Sequence, residues 1–381
     1  MYGSFIQFTI PKIGQALIGL ALYGNFLKLP FVSIFYGTHP LLYFAIPLLL
    51  LGLLSYISRD PLGPGMIFVS HLTVFYIIGD VLAIPVGLLG GTAAYQIWEM
   101  LSLDSLLPWL LTVLVMLWGR ARAKKLCVTR YQLQTAKPLP GGKLRIVQIS
   151  DVHPGATMNH TRIPELRQKI EALAPDLIVL TGDIYDEYTV REEFDAFNAL
   201  YAALKAPLGK WYIYGNHDLG QYFRESAFTR ADLETAFAAG DVHILEDACA
   251  FTQGVVPVRL VGRKDWLFTE QKRFSAAELM PNGSDGTYTI WLDHEPREFK
   301  EAAAAGADVI FSGHTHGGQI WPAGLIARLF RYNEINYGAK LIAPGCTAIV
   351  SGGTGTWGYS IRTEAHTEIV CVDVTSEQAA T

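Results

Sequence analysis

The sequence predicts an α/β domain of layered strands and helices, preceded by an all-α apolar region. Two observations carry this reading. From about Arg130 onward, short apolar strands alternate with amphipathic helices, the pattern of a layered α/β core. Before that, from Met1 to Trp118, the only lysines or arginines are Lys12, Lys28 and Arg59, and apolar runs dominate. Half of the 381 residues are hydrophobic and the mean hydropathy is +0.24, high for a purely soluble chain.

The apolar region comes first. "HPLLYFAIPLLLLGLLSYI" (His39 to Ile57) and "MIFVSHLTVFYIIGDVLAIPVGLLG" (Met66 to Gly90) are long enough to cross a bilayer. Leu106 to Trp118 is short but extends back toward Ser102, and Ile13 to Tyr36 is interrupted by Lys28 and Pro30. The expectation is about four spans within residues 1–119. One hydrophobic segment following another fits a cleaved signal peptide poorly. Asp80 falls inside the third span and is read as facing the helix bundle or water. Arg120, Arg122, Lys124, Lys125 and Arg130 follow the last span. Positive charge beside a span end favours the cytoplasmic side. The expectation is therefore a multi-pass inner-membrane protein with a cytoplasmic C-terminal domain. The same cations suit lipid headgroups. Residues 120–142 read as a basic linker, 143–375 as the globular domain and 376–381 as a disordered tail.

The domain's elements follow in order. Leu144 to Ser150 is a buried strand, and Arg162 to Pro175 is a helix with Ile163, Leu166, Ile170 and Leu173 on one face. Asp176 to Leu180 is a strand, Arg191 to Leu204 a helix and Lys210 to Tyr214 a strand. Later come a strand over Thr287 to Leu292, a helix over Glu295 to Ala305, and the strands "DVIF", "TAIVS" and "TEIVCVDV".

Each of five strands is followed by polar residues suited to metal ligation. They are Asp151 and His153; Asp183 and Asp186; Asn216, His217 and Asp218; His294; and His314 with His316. Open α/β sheets place their sites at such strand ends. One loop of this kind is an ordinary turn, because Asp and Asn are common there. Five with the same habit point to a metal site. In an extended segment the HxH pair would offer two imidazoles to one region of space. Mixed nitrogen and oxygen donors suit Mn, Fe or Zn better than Mg or Ca. Cys127, Cys249, Cys346 and Cys371 are scattered without CxxC spacing, which excludes a zinc ribbon and argues for inert thiols. A net charge of −5 with no basic tract excludes a nucleic-acid footprint. No segment marks a protein partner.

The order DxH, GDxxD, GNHD, a lone His and GHTH resembles the calcineurin-like metallophosphoesterase superfamily over roughly Lys143 to Val374. The tail "VSGGTGTWGYSIR" and the hydrophobic lead resemble its membrane-anchored bacterial branch, some of whose relatives are linked to lipid A precursor cleavage. The resemblance implies a four-layer sandwich of two mixed sheets flanked by helices, with two divalent transition-metal ions at the strand ends, manganese favoured. It implies one ion on Asp151, His153 and His316, another on Asn216, His294 and His314, and Asp183 bridging. A shared carboxylate relieves the repulsion of two close cations. It further implies His217 as the general acid on the leaving oxygen, with Asp186 orienting it. Asp218 is expected either to support the ligands from behind or, preferably, to cap a helix. Arg362 is expected either to reach a substrate phosphate or to form a structural ion pair, and His160, His243 and His366 to lie on the surface.

The reading is hydrolysis of a phosphoester or pyrophosphate bond by metal-activated hydroxide, with a lipid-linked substrate such as a UDP-diacylglucosamine-type lipid A precursor as the specific candidate. Alternatives are a broad phosphodiesterase on soluble nucleotides, and a membrane sensor or scaffold that keeps the fold. A transporter would need more polar, broken helices. "WPAGLIARLFRY" (Trp321 to Tyr332) and the insert from Leu219 to Arg230 flank the histidine loops. In the former, Leu325, Ile326, Leu329 and Phe330 recur at near-helical spacing beside Arg328 and Arg331. That suits either an interfacial amphipathic element or a core helix.

Overall fold

The structure is a computed structural model and describes residues 22–57, 64–103, 106–218, 226–266 and 273–377. The chain divides into two compact units, Met1–Trp118 and Gly119–Thr381. The predicted tail lies largely outside the described residues, as do the first part of the predicted span from Ile13 and the first part of the 219–230 insert.

The first unit is helical. Its main helices are α1 (Pro40–Ile57) and α2 (Pro64–Trp98), and α3 (Leu107–Ala123) begins in it. Gly91, with φ 72°, breaks α2 one residue after the predicted end of its span. A small core forms around Phe26, Leu54, Leu72 and Tyr76, where the Tyr76 hydroxyl accepts from Trp109 Nε1 at 3.0 Å. Much of the remaining apolar surface faces outward, including Leu41, Leu49, Leu88 and Leu89. Among the described residues one helical stretch, Pro64–Ser102, is long and apolar enough to cross a membrane, and Pro40–Leu54 is a shorter apolar helix.

Among its described residues the second unit has twelve strands in two six-stranded sheets. One sheet has β1 (Leu126–Thr135), β12 (Thr367–Ser376), β2 (Lys143–Ile149), β3 (Leu177–Thr181), β4 (Lys210–Ile213) and β5 (Val242–Ile244), in that spatial order. The other has β10 (Gly338–Ala343), β11 (Cys346–Val350), β9 (Val309–Ser312), β8 (Thr289–Leu292), β7 (Arg259–Gly262) and β6 (Ala248–Phe251). β2, β3, β4 and β5 pair in parallel, while β12 runs antiparallel to β2, so the sheet is mixed. The second sheet is likewise parallel at its centre, with antiparallel pairs at both edges.

Side-chain alternation along these strands builds the layers. Ile146, Val179, Ile290 and Phe311 fill the space between the sheets. Val147, Ile149, Ile178 and Leu180 turn the other way, onto α4 (Ile163–Leu173), α5 (Arg191–Ala203) and α6 (Arg230–Ala239). Trp291 and Ile310 face outward from the second sheet onto α7 (Phe299–Ala304) and its neighbours. The result is the predicted four-layer order of helix, sheet, sheet and helix.

Two expectations need correction. The predicted basic linker over 120–142 is no free connector. Leu126–Thr135 is an edge strand paired in parallel with β12 along ten register positions, from Leu126 opposite Thr367 to Thr135 opposite Ser376. Its alternating, half-buried pattern was hidden among charged and polar residues. The helix predicted over Glu295 to Ala305 starts only at Phe299, because residues 295–298 form a polar loop behind His294 with Glu298 in the left-handed region.

Candidate metal centre

β2, β3 and β4 of one sheet and β8 and β9 of the other end at the same place, and their C-terminal loops converge there. The candidate ligands are almost fully withdrawn from solvent: Asp151, His153, Asp183, Asn216, His294 and His316 are all buried, and His314 is half-buried. Burying so many polar groups is costly unless they are paired or bind a cation.

The donor atoms face one another. His294 Nε2 lies 3.2 Å from Asp183 Oδ2, and His153 Nε2 lies 3.6 Å from the same oxygen. His316 Nε2 is 3.6 Å from Asp151 Oδ1. Asn216 Oδ1 sits 3.1 Å from His294 Nε2 and 2.9 Å from His314 Nδ1. Two triads, Asp151–His153–His316 and Asp151–Asp183–His294, have ligand atoms within 4.8 Å of one another. Asp183, reached from both His153 and His294, occupies the middle.

Local backbone conformation is what aims these groups. Asp151, His153, Asp183, His314 and His316 all have positive φ, between 42° and 67°. They are five of the eleven non-glycine residues in that region among the described residues. L-residues avoid it, and its use at sites reflects over-determined packing. The HxH segment is therefore not extended, as expected from spacing. Its two rings diverge, His314 toward Asn216 and His316 toward Asp151. Glycines make the close approaches possible. A Cβ on Gly313 would lie 2.2 Å from Asp151 Oδ2, and one on Gly215 would lie 2.4 Å from Asp183 Oδ1.

Hydrogen bonds and charge fit the residues to a cation. His294 Nδ1 donates to the Thr181 carbonyl at 2.8 Å, which fixes the ring with Nε2 facing Asp183. His153 Nδ1 donates to Asp186 Oδ2 at 3.1 Å, while its buried Nε2 has no hydrogen-bond partner. A carboxylate behind a ligating histidine is the usual support for such a ligand. Burial, reinforced by His294, pushes His314 down to about 3, and burial also lowers His316, so both rings are neutral. Burial would raise Asp183, but the neighbouring His294 outweighs it and holds the carboxyl well below its usual range. Burial would lower His294 and His153, but Asp183 raises the first, and Asp186 with Asp183 raises the second, so these two rings share protons with the carboxylates that a bound cation would displace. The set therefore comprises an ionised central carboxylate, two neutral imidazoles and two that a cation would deprotonate, which fits divalent transition metals.

Three side chains act differently from expectation. Asp186 does not orient His217: its carboxylate is spent on His153, and Glu187 instead accepts from His217 Nδ1 at 2.9 Å. The two acidic residues are adjacent, so the turn after Asp183 decides which one reaches which ring. Asp218 acts on the ligand loops; a helix for it to cap would lie in residues outside the described ones. It accepts from the backbone N–H groups of Asp183, Tyr185 and Gly215 at 2.7–2.9 Å, tying two ligand loops together. Arg362 reaches no open space and forms no ion pair among the described residues. It is fully buried and donates to the carbonyls of His316 and Gly355.

Residues 144–318 match the family described as Calcineurin-like phosphoesterase. An Uncharacterized metallophosphoesterase of Aquifex aeolicus is 30% identical over 249 residues, covering 65% of this chain and 91% of that protein. The chain belongs to the calcineurin-like phosphoesterase family. It is a metal-dependent phosphoester hydrolase by membership. Two further relatives bear on context. The Transmembrane protein with metallophosphoesterase domain of Danio rerio is 27% identical, over 59% of this chain and 52% of its own length. UDP-2,3-diacylglucosamine pyrophosphatase LpxG of Chlamydia muridarum is 28% identical, over 47% of this chain and 66% of its own length. The phosphoesterase thus spans about half to two-thirds of these last two relatives.

Residues that sequence reasoning missed complete the site. Glu187 is one, fully buried beside His217. Trp357 is another, its ring centroid 5.3 Å from that of His217. It lies in the glycine-rich tail segment "VSGGTGTWGYSIR", but nothing in the spacing links it to a histidine 140 residues earlier in the chain. His160, expected at the surface, is partly exposed and pairs with Glu193 at 2.6 Å.

Proposed function

We propose that Asp151, His153, Asp183, Asn216, His294, His314 and His316 hold two divalent transition-metal ions, manganese favoured, with Asp183 shared. Asp151, His153 and His316 would serve one ion, and Asn216, His294 and His314 the other. The observation that carries this is the set of imidazole nitrogens and carboxylate oxygens aimed at Asp183 from five strand ends, including the buried, unpartnered Nε2 of His153. When bound, the ions would supply Lewis-acid charge to a phosphoryl group and lower the pKa of water.

The chain's own residues then divide the remaining work. His217 stands beside this cluster, its ring centroid 5.4 Å from that of His153. Its backbone N–H donates to Asp183 Oδ1 at 2.8 Å, which fixes the residue to the centre. Glu187 accepts from Nδ1–H and orients the ring, so that Nε2 is the nitrogen left to serve the leaving oxygen as general acid. Trp357 flanks the ring and limits water there.

The substrate reading is a phosphoester or pyrophosphate carried on a membrane lipid, with a UDP-diacylglucosamine-type lipid A precursor as the specific candidate. The similarity to a pyrophosphatase of that class and the apolar stretch Pro64–Ser102 support it. The basic residues after Trp118 support a multi-pass inner-membrane protein with its catalytic unit on the cytoplasmic side. The test uses purified full chain with Mn²⁺ against a phosphomonoester, a soluble phosphodiester and a nucleotide-linked diacyl lipid, with metal content measured in parallel. Two ions per chain and preference for the lipid are expected. Single-metal stoichiometry would refute the dinuclear assignment, and preference for the soluble diester would favour a nucleotide phosphodiesterase.

A further inference from the structure

Among the described residues of the Gly119–Thr381 unit, seven of the thirteen exposed large hydrophobic side chains fall between Leu325 and Leu341. Five belong to α8 (Ala323–Leu329) and the turn after it. Leu325 and Ile326 are 42% and 43% exposed, and Leu329, Phe330 and Tyr332 are 70%, 69% and 68% exposed. A core helix buries an apolar stripe. Here only Gly324 is buried, so the packing alternative for this segment does not hold. A contiguous exposed apolar patch marks an interaction surface.

Charge beside the patch identifies the partner. A cleft of about 1040 Å³ is lined by Arg122, Arg297, Arg328, Arg331 and Lys340 against the carboxylates of Glu334 and Glu364. Glu364 accepts from Gly324 N–H at 2.6 Å and lies 3.8 Å from the Arg328 guanidinium, which is itself 67% exposed. Arg331 and Lys340 are exposed and have no ion-pair partner among the described residues.

We propose that α8 and this cleft dock on an anionic bilayer surface. Leu325, Ile326, Leu329 and Phe330 enter the boundary between headgroups and acyl chains, as interfacial helices do. Arg328, Arg331 and Lys340 pair with lipid phosphates, for which guanidinium geometry is suited. Gly317, the residue after His316, lines the same cleft, so docking sets the candidate metal centre beside the headgroup layer. The proposal adds a membrane-contact surface to the hydrolytic reading and does not depend on which ester is cleaved.

The experiment uses the full chain, loaded with Mn²⁺, in lipid nanodiscs. An environment-sensitive fluorophore is placed at Leu329→Cys, and separately at Val255→Cys as a fully exposed control, in a Cys127→Ser, Cys249→Ser background. The label at 329 is expected to shift to the blue in phosphatidylglycerol discs and to be quenched by lipids brominated high on the acyl chain; the label at 255 does neither. Arg328→Glu with Arg331→Glu and Lys340→Glu is expected to abolish the shift, while hydrolysis of a soluble nitrophenyl ester stays unchanged. Water-like emission at both positions overturns the proposal. So does equal quenching in purely zwitterionic discs, or a shift that requires two copies per disc. Loss of soluble-ester hydrolysis in the parent protein would instead count against the hydrolytic reading and leave the docking result standing.

Discussion

His316 is 8% exposed, whereas Leu329, thirteen residues later, is 70% exposed. One is a polar ring withdrawn from water, and the other an apolar side chain left in it. Both reverse the ordinary partition of residues, and such reversals are more informative than the many residues that obey it. The loop at His314 and His316 is over-determined: positive φ, a glycine that admits no Cβ, and the fully buried Arg362 holding the His316 carbonyl. The α8 segment is held at one small residue, Gly324, by Glu364. The comparison teaches that one connection between β9 and β10 carries a rigid chemical part and an outward apolar part with different demands on packing.

Substitutions can break this comparison from its strongest point outward. Asp183→Asn should have the largest effect, reducing hydrolysis to background and metal content below one ion per chain, measured by elemental analysis. Chelator treatment of the native protein should do the same reversibly and lower its thermal midpoint, because a ligand bound only to the folded state stabilises it.

His217→Ala should retain the metals and lose roughly 10²–10⁴-fold in rate, the usual contribution of a general acid. The loss should shrink for a nitrophenolate leaving group. Equal losses for good and poor leaving groups would assign His217 another role.

The exchange of partners between Asp186 and Glu187 is tested by a smaller pair of effects. Asp186→Asn, behind a candidate ligand, should cost about 10–100-fold in metal affinity or activity. That loss should be insensitive to the leaving group. Glu187→Gln should leave metal content intact and make the rate depend on the leaving group, as His217→Ala does. The reverse pattern would restore Asp186 as the partner of His217.

The smallest effect belongs to α8. Phe330→Ser should change unfolding stability by no more than about 0.5 kcal/mol, as surface substitutions do. Phe311→Ala, at a side chain fully buried between the sheets, should cost about 3–5 kcal/mol. A large loss for Phe330→Ser in denaturant titration would show that α8 is part of a core after all.

Much of the site was legible because its residue types are rare together and recur after apolar runs of strand length. Asp151, His153, Asp183, Asn216, His294, His314 and His316 all arrive at one place, as the strand-end habit predicted. The roles of Asp186, Asp218 and Arg362 were not legible. Each depends on where a side chain points across elements far apart in sequence: Asp186 to His153, Asp218 to Asp183, Arg362 to the His316 carbonyl.

The sequence by itself determined the alternation of strands and helices, the chemistry of the loops and the apolar character of the first 118 residues. These follow from local periodicity and composition, which need no partner to be read. Only the tertiary structure decided that Leu126–Thr135 completes a sheet, that Glu187 rather than Asp186 holds His217, and that α8 turns its leucines outward. Each of these rests on which surface meets which. An edge strand acquires its pairing from β12, a carboxylate acquires its role from the ring it reaches, and an amphipathic run is core or lip only once the chain has closed over it or left it open.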